Sequence, residues 1–246
     1  MKNLIVNIVN RIRYKPSRDM SGLVIVFFGA TGKVGSVLAS YFYDKGASTA
    51  LFGRDSLKLK RSITNFSSEK GLLFSGDVCD EIQVKRFLLK VIEKFGKIDA
   101  IVNSTGQFDV LNIKDITSKS IDQAYEANFK SIVIPSKVAL SILRKGSTII
   151  NFGSYIVKNK NIGKGKALYV AFKSAVDGFS RVFSTEANTK GIRFICLEPA
   201  TISNFVTKDF LNYINPFRLA ELIEYVLKFK DIDFGVVTIK SVNQKI

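Results

Sequence analysis

The stretch that decides the fold is Leu23-Val24-Ile25-Val26-Phe27-Phe28-Gly29-Ala30-Thr31-Gly32-Lys33-Val34-Gly35. Its first six residues are apolar without a break, the pattern of a strand covered on both faces. A glycine-rich turn follows directly. Residues 34–45 then carry helical periodicity, with Val34, Val37, Leu38 and Tyr41 facing inward and Gly46 as the stop. A buried strand that runs through such a turn into a helix N-terminus is a device for holding phosphate. Gly29 permits the tight turn, Gly35 lets the helix approach the sheet, and the backbone around Thr31 and Gly32 opens amides to a pyrophosphate.

The same alternation continues outward. Strands are predicted at 49–52, 72–74, 100–102, 147–152, 192–197 and 234–239. Helices are predicted at 57–66, 81–95, 121–143, 168–188 and 217–229, the third of these interrupted or bent near Pro135. This pace predicts an α/β fold: a single Rossmann-type, doubly wound parallel sheet of about seven strands with helices on both faces. The 246 residues suffice for one such domain, expected at 21–246 after an N-terminal arm, 1–20. In the arm, Leu4, Ile5, Ile8, Val9 and Ile12 recur at helical spacing beside Arg11, Arg13, Lys15 and Arg18. It reads as a helix lying on a membrane surface, a packing arm, or a tail ordered on assembly. Met20 is a second candidate start.

Composition excludes several chemistries. There is no histidine, which removes Ser-His-Asp hydrolysis and His-ligated zinc; no metal site is expected. Proton transfer falls to Tyr, Lys, Asp, Glu or Cys. The net charge of +16 comes from 37 basic and 21 acidic residues spread along the chain. Without a basic stripe interleaved with aromatics, the charge argues against a nucleic-acid partner. Cys79 and Cys196 lie far apart, which fits a reducing, cytoplasmic compartment. No apolar run reaches the roughly 18–20 residues that span a membrane.

Chemistry concentrates in Tyr169-Val170-Ala171-Phe172-Lys173. Residues four apart on a helix share a face, so phenol and ammonium point the same way. A cation there favours the phenolate and draws the tyrosine pKa down from about 10, giving a general acid/base. The pair alone is equally an ordinary surface pair. Ser154 closes the fifth strand. Asn103-Ser104-Thr105-Gly106 closes the fourth, at the carboxyl edge where such sheets bind ligands. Asp77-Val78 ends the third strand and reads as an adenine contact or a simple turn. The second strand ends in Phe52-Gly53-Arg54-Asp55. Arg54 suits a 2′-phosphate, Lys33 adds charge, and Asp55 reads as the cap of the next helix rather than a ribose acid. These residues favour NADP over NAD.

Taken in order, Gly29-x-x-Gly32-x-x-Gly35, Asp77-Val78, Asn103-Ser104-Thr105-Gly106, Asn128, Ser154, Tyr169-x-x-x-Lys173 and Pro199 resemble the short-chain dehydrogenase/reductase family, from about residue 22 to the end. The resemblance implies that Tyr169 exchanges a proton with the substrate oxygen and Ser154 hydrogen-bonds that oxygen. Lys173 holds the nicotinamide ribose and lowers the Tyr169 pKa; Asn128 positions a relay water. It implies a cofactor site formed by Gly29, Thr31, Gly32, Lys33, Val34, Gly35, Arg54, Asp77, Val78, Asn103, Gly106, Tyr169, Lys173 and Pro199. It also implies a homodimer or homotetramer paired through 121–143 and 168–188.

The chain departs from the family pattern in several places. Lys33 stands where short reductases carry glycine, and Gly32 resembles the extended, sugar-nucleotide-modifying branch. Tyr169 lies 15 residues after Ser154, about two more than usual, the surplus falling in 158–166 and expected to bulge outward. Ala200 replaces a glycine, the substrate-lid segment 201–216 is short, and a glycine pair is missing from Thr238-Ile239-Lys240-Ser241. The expected activity is NADP-dependent interconversion of a small-molecule carbonyl and alcohol. Lys158, Lys160, Lys164 and Lys166 suggest an anionic substrate, such as an acyl thioester or sugar nucleotide. The alternatives are a sugar-nucleotide epimerase or ketoreductase, and a non-catalytic NADP-binding regulator.

Overall fold

The structure is a computed structural model that describes residues 19–159, 162–203, 213–229 and 235–240. The arm expected at 1–20, apart from Asp19 and Met20, lies outside the described residues, as do Lys160, Ser241 and most of the lid segment. Seven parallel strands form one sheet in the order β3-β2-β1-β4-β5-β6-β7. They are β1 (Val24–Phe28), β2 (Ser48–Gly53), β3 (Gly71–Ser75), β4 (Ala100–Asn103), β5 (Thr148–Phe152), β6 (Arg193–Pro199) and β7 (Gly235–Ile239). The helices are α1 (Lys33–Asp44), α2 (Ser56–Arg61), α3 (Glu81–Phe95), α4 (Ser118–Tyr125), α5 (Ser131–Ile142), α6 (Ala167–Thr189) and α7 (Pro216–Lys228).

The central strands are buried on both faces, so successive side chains feed two cores. Phe27 packs with Leu38 and Phe42 of α1 and Leu219 and Ile223 of α7. Phe28 packs with Phe87 of α3, Ile132 of α5 and Phe183 of α6. Each fully buried aromatic of this kind stabilises the fold by about 1.5–3 kcal/mol. A buried carboxylate fastens α1 to α7: Glu224 accepts from Tyr41 Oη at 2.6 Å, Lys45 Nζ at 2.6 Å and Lys228 Nζ at 3.0 Å.

Three local expectations need correction. The inward face of α1 is Gly35, Leu38, Ala39 and Phe42, one position on from the face read from periodicity. The helix expected at 57–66 stops at Arg61. Asn65 turns left-handed (φ 57°), and Phe66 leaves the helix to stack on Tyr43 and cover Gly71. The bend expected near Pro135 lies earlier, in a π-helical turn at Glu126–Lys130 between α4 and α5. Pro135 is buried inside α5 and has no N–H to offer the Ser131 carbonyl. Thr105 Oγ1 donates to that carbonyl instead, at 3.1 Å. The lost helix bond thereby ties α5 to the loop after β4.

Strand order reverses between β1 and β4. This places a crevice outside the carboxyl ends of those two strands, where the glycine turn and the loop after β4 face each other.

Candidate active site

The glycine turn is held by its own backbone. Gly29 has φ +81°, and its carbonyl accepts from the Gly32 N–H at 3.0 Å. A Cβ at Gly35 would lie 2.2 Å from the Gly29 oxygen, so no side chain fits there. Ser104 approaches from β4, its Oγ donating to the Phe28 carbonyl at 3.0 Å. Together these segments wall a cleft of about 530 Å³.

Gly29, Thr31, Gly32, Arg54, Asp77, Val78 and Gly106 line the cleft. Asp55 caps α2, its Oδ1 accepting from the N–H groups of Leu57 and Lys58 at 2.9 and 3.0 Å. Asp77 sits at the cleft and also makes a turn, its Oδ1 accepting from Cys79 N at 2.9 Å. The turn reading of Asp77 is therefore observed, at a position that lines the cleft. Lys58 joins Arg54 at the cleft and was not foreseen, although it follows Arg54 by one helical turn.

Other residues assigned to the cofactor are not in the cleft lining, Tyr169 and Lys173 among them. Asn103 is buried with its amide turned into the core, donating to Asn151 Oδ1 at 2.7 Å and Ser136 Oγ at 3.2 Å. It ties β4 to β5 and α5 instead of facing the cleft. Val34 packs on the core, and Lys33 is exposed outside the cleft lining. Pro199 is buried at the end of β6 and does not line the cleft.

Asn128, Ser154, Tyr169 and Lys173 come from three elements and adjoin the cleft through Gly106, which lines it. Ser154 follows β5 and caps the short 3-10 turn Tyr155–Lys158. Its hydroxyl is hydrogen-bonded to the Tyr169 phenol. Lys173 lies one turn beyond Tyr169 on α6, fully buried, its Nζ donating to the Phe152 carbonyl at 2.9 Å and 6.0 Å from the Tyr169 ring centre. Asn128 sits in the π-helical turn, donating to the Ala124 carbonyl at 3.2 Å and accepting from Gln107 N at 3.0 Å. Gly106 touches both: a Cβ there would lie 3.3 Å from Asn128 Oδ1 and 3.4 Å from Lys173 Nζ.

The electrostatics correct one expectation. Burial pushes the Tyr169 phenol above its ordinary pKa, and only the Ser154 hydrogen bond acts the other way. Lys173, whose Nζ sits on the Phe152 carbonyl 6.0 Å from the ring centre, is not among the causes. Burial in turn draws Lys173 down to about 8. Spacing places the two groups on one face; their environment sets the sign of the shift.

The expected cationic rim also changes. Lys158 is paired with buried Glu198. Lys164 is exposed and Lys166 half-buried. Of the described part of 158–166, residues 162–164 are exposed, as an outward bulge would have them, and the far end is tied down. Leu111 N donates to the Gly165 carbonyl at 2.8 Å, joining this loop to the one after β4. That loop sets Phe108 edge-on against Tyr169, ring centres 4.9 Å apart. Nothing in the local sequence marked Phe108. Among the described residues no cluster of potential metal ligands occurs, and no helix is long and apolar enough to cross a membrane.

A doubly wound parallel sheet with a glycine cradle at its switch point defines a dinucleotide-binding α/β protein. A family model described as short chain dehydrogenase matches residues 23–212. Glucose and ribitol dehydrogenase homolog 2 of Arabidopsis thaliana is 27% identical over 229 residues, 86% of this chain and 78% of that one. A short chain dehydrogenase from Bacillus anthracis superposes with a TM-score of 0.80 at 19% identity, covering 91% of this chain and 97% of the other. One from Burkholderia cenocepacia, in complex with NADP, superposes with a TM-score of 0.78 at 20% identity, covering 93% and 98%. The chain belongs to the short chain dehydrogenase family and is an NAD(P)-dependent oxidoreductase.

Proposed function

We propose that the protein is an NADP-dependent reductase of a small-molecule carbonyl, or works as the reverse alcohol dehydrogenase. One observation carries the reading: Ser154 is hydrogen-bonded to Tyr169, and Asn128 and Lys173 meet at Gly106, which lines a cleft together with Arg54 and Lys58. The cleft fits a dinucleotide, because its glycine cradle at Gly29 and Gly35 excludes any Cβ and leaves the backbone open to a pyrophosphate. When bound, the cofactor supplies or accepts the hydride. The residues do the rest. Tyr169 gives its phenolic proton to the substrate oxygen on reduction and recovers it on oxidation. Ser154, already on the phenol, holds that oxygen in place. Lys173 holds the ribose, and Asn128 keeps the loop at Gly106 in register through Gln107.

Arg54 and Lys58 favour a 2′-phosphate, hence NADP. The Burkholderia structure is a complex with NADP, in agreement with that preference. The anionic-substrate idea loses Lys158 and retains only Lys164 and Lys166. A homodimer or homotetramer through α4, α5 and α6 belongs to the same reading, and Ile121, Tyr125 and Val182 are exposed on those helices.

The test is fluorescence titration with NADPH and NADH, then NADPH consumption over a panel of ketones and thioesters. Tyr169→Phe should bind NADPH as the wild type does and lose turnover by about 10²–10⁴-fold. Wild-type turnover in that variant would remove Tyr169 from the mechanism. Failure to bind either cofactor would overturn the reading at its first step.

A further inference from the structure

Behind Ser154 lies a buried acid pair that none of the roles above uses. Glu198, next to last in β6, is fully buried and packs on the residue before the serine: a Cβ on Gly153 would lie 3.0 Å from Glu198 Cγ. Glu198 Oε2 accepts from Lys158 Nζ and, at 3.1 Å, from Thr238 Oγ1 of β7. Lys158 ends the 3-10 turn that Ser154 caps. The segment that begins with the serine is therefore anchored at its far end to Glu198.

The other carboxyl oxygen, Glu198 Oε1, is buried without a donor, and so is Asp177 Oδ1. Asp177 lies one helical turn beyond Lys173 and within hydrogen-bonding reach of Glu198. Its outer oxygen, Oδ2, accepts from Arg181 at 2.7 Å. Two ionised carboxylates in such contact repel; with one proton between them they attract. Burial raises the Glu198 pKa and Asp177 raises it further, while Lys158 opposes both. Among the described residues, a further titratable neighbour is Cys196 of β6, a thiol that burial raises to about 11 and so leaves neutral. Thr238, from β7, is uncharged.

We infer that Glu198 is a positioning residue for the reaction: sharing a proton with Asp177, it grips Lys158 and thereby fixes Ser154 against Tyr169. This rests on the reading that Ser154 assists Tyr169.

Two measurements test it on the full chain. Infrared difference spectra against Glu198→Gln and Asp177→Asn at neutral pH should each show the loss of one protonated-carboxyl C=O stretch. Absence of that band from the wild type overturns the shared proton. The second measurement is kcat, with the panel ketone that is reduced fastest, for wild type, Ser154→Ala, Glu198→Gln and the double variant. Glu198→Gln should lower kcat about tenfold, the scale of a lost charge-assisted hydrogen bond, without altering NADPH affinity. In the Ser154→Ala background it should add less than about twofold, because the two act as one unit. Equal losses in both backgrounds would make Glu198 merely structural and overturn the inference. An unchanged kcat in Ser154→Ala would instead defeat the reading of Ser154 and the inference with it, a separate outcome. Should Glu198→Gln not fold, Lys158→Met takes its place in the cycle with the same expectations.

Discussion

The two halves of the sheet hold their parts of the site by different means. On the β1–β4 side the cleft is made of backbone: a left-handed Gly29, a Gly35 with no room for a methyl, and a serine bonded to a strand carbonyl. On the β5–β7 side the site is made of polar side chains that depend on one another. There Lys173 leans on the Phe152 carbonyl, Ser154 on Tyr169, and Lys158 on Glu198. The backbone half recognises a constant ligand and is intolerant of volume. The side-chain half is sensitive to charge.

The largest expected effect breaks the backbone half. Gly35→Ala would place a methyl 2.2 Å from the Gly29 oxygen and 2.7 Å from Ser104 Oγ, and the first of these is main chain that cannot rotate away. Overpacking of this kind costs about 1–3 kcal/mol, and here the displaced atoms form the cofactor cradle. Urea unfolding should show the loss of stability, and NADPH titration a parallel loss of affinity. Wild-type values for both would mean that the cradle is not rigid and would erase the contrast between the halves.

The same contrast explains what was legible in the sequence. Each strand was located by a short apolar run, and α3 lies between residues that cap it in the structure, Asp80 and Gly96. These signals are local, because a strand's burial and a helix's ends are written in adjacent residues. The glycine cradle was legible for the same reason. Asn103 was misassigned because its position at a strand end does not say which way the amide turns, and it turns into the core. Lys158 is an exposed charge as its sequence suggests, but its ion pair was not legible because the partner Glu198 is 40 residues away. The sign of the Tyr169 shift failed similarly: spacing identifies neighbours on one helix, whereas burial is decided by Phe108 and the loop after β4. The short α2 reflects Phe66 choosing Tyr43 and Gly71 over helical continuation, a tertiary preference over a local one.

A smaller effect probes the side-chain half by pH. Lys173 is charged in the unfolded chain up to its ordinary value of 10.5, but in the folded protein only to about 8. Between those limits the unfolded state binds the extra proton, so stability rises with pH across the window. Below it, both states are charged and the folded protein bears the full cost of a buried ammonium; above it, the group is neutral in both. Tyr169, raised by burial, contributes in the opposite direction near and above its ordinary value of 10.0, so the comparison must be with a lysine variant. Lys173→Met should flatten the rise between about pH 8 and pH 10 by roughly 1.4 kcal/mol per pH unit. Parallel stability curves for the two proteins would show that Lys173 is not held charged in a dry site.

The least severe prediction returns to the cleft and sharpens the comparison from its open side. Arg54 and Lys58 are both exposed at the cleft and project from the end of β2 and the first turn of α2. Unlike the glycines, they hold up no part of the fold. Their removal should cost affinity for a 2′-phosphate and little else. Arg54→Ala should weaken NADPH binding by about 1.5–3 kcal/mol, the scale of hydrogen bonds to a charged group, and leave NADH nearly unchanged. Lys58→Ala should act in the same direction and more weakly, because a lysine meets phosphate as a point charge and an arginine as a planar fork. Both effects should shrink as salt rises, since exposed charges are screened. Unfolding midpoints should stay within about 0.5 kcal/mol of wild type, as for other surface changes. Equal loss of NADPH and NADH in Arg54→Ala would assign the arginine to the shared part of the two cofactors and remove the ground for an NADP preference. Loss of stability without loss of binding would place Arg54 among the structural residues, and the division between a rigid cradle and a replaceable charged rim would fail at that point.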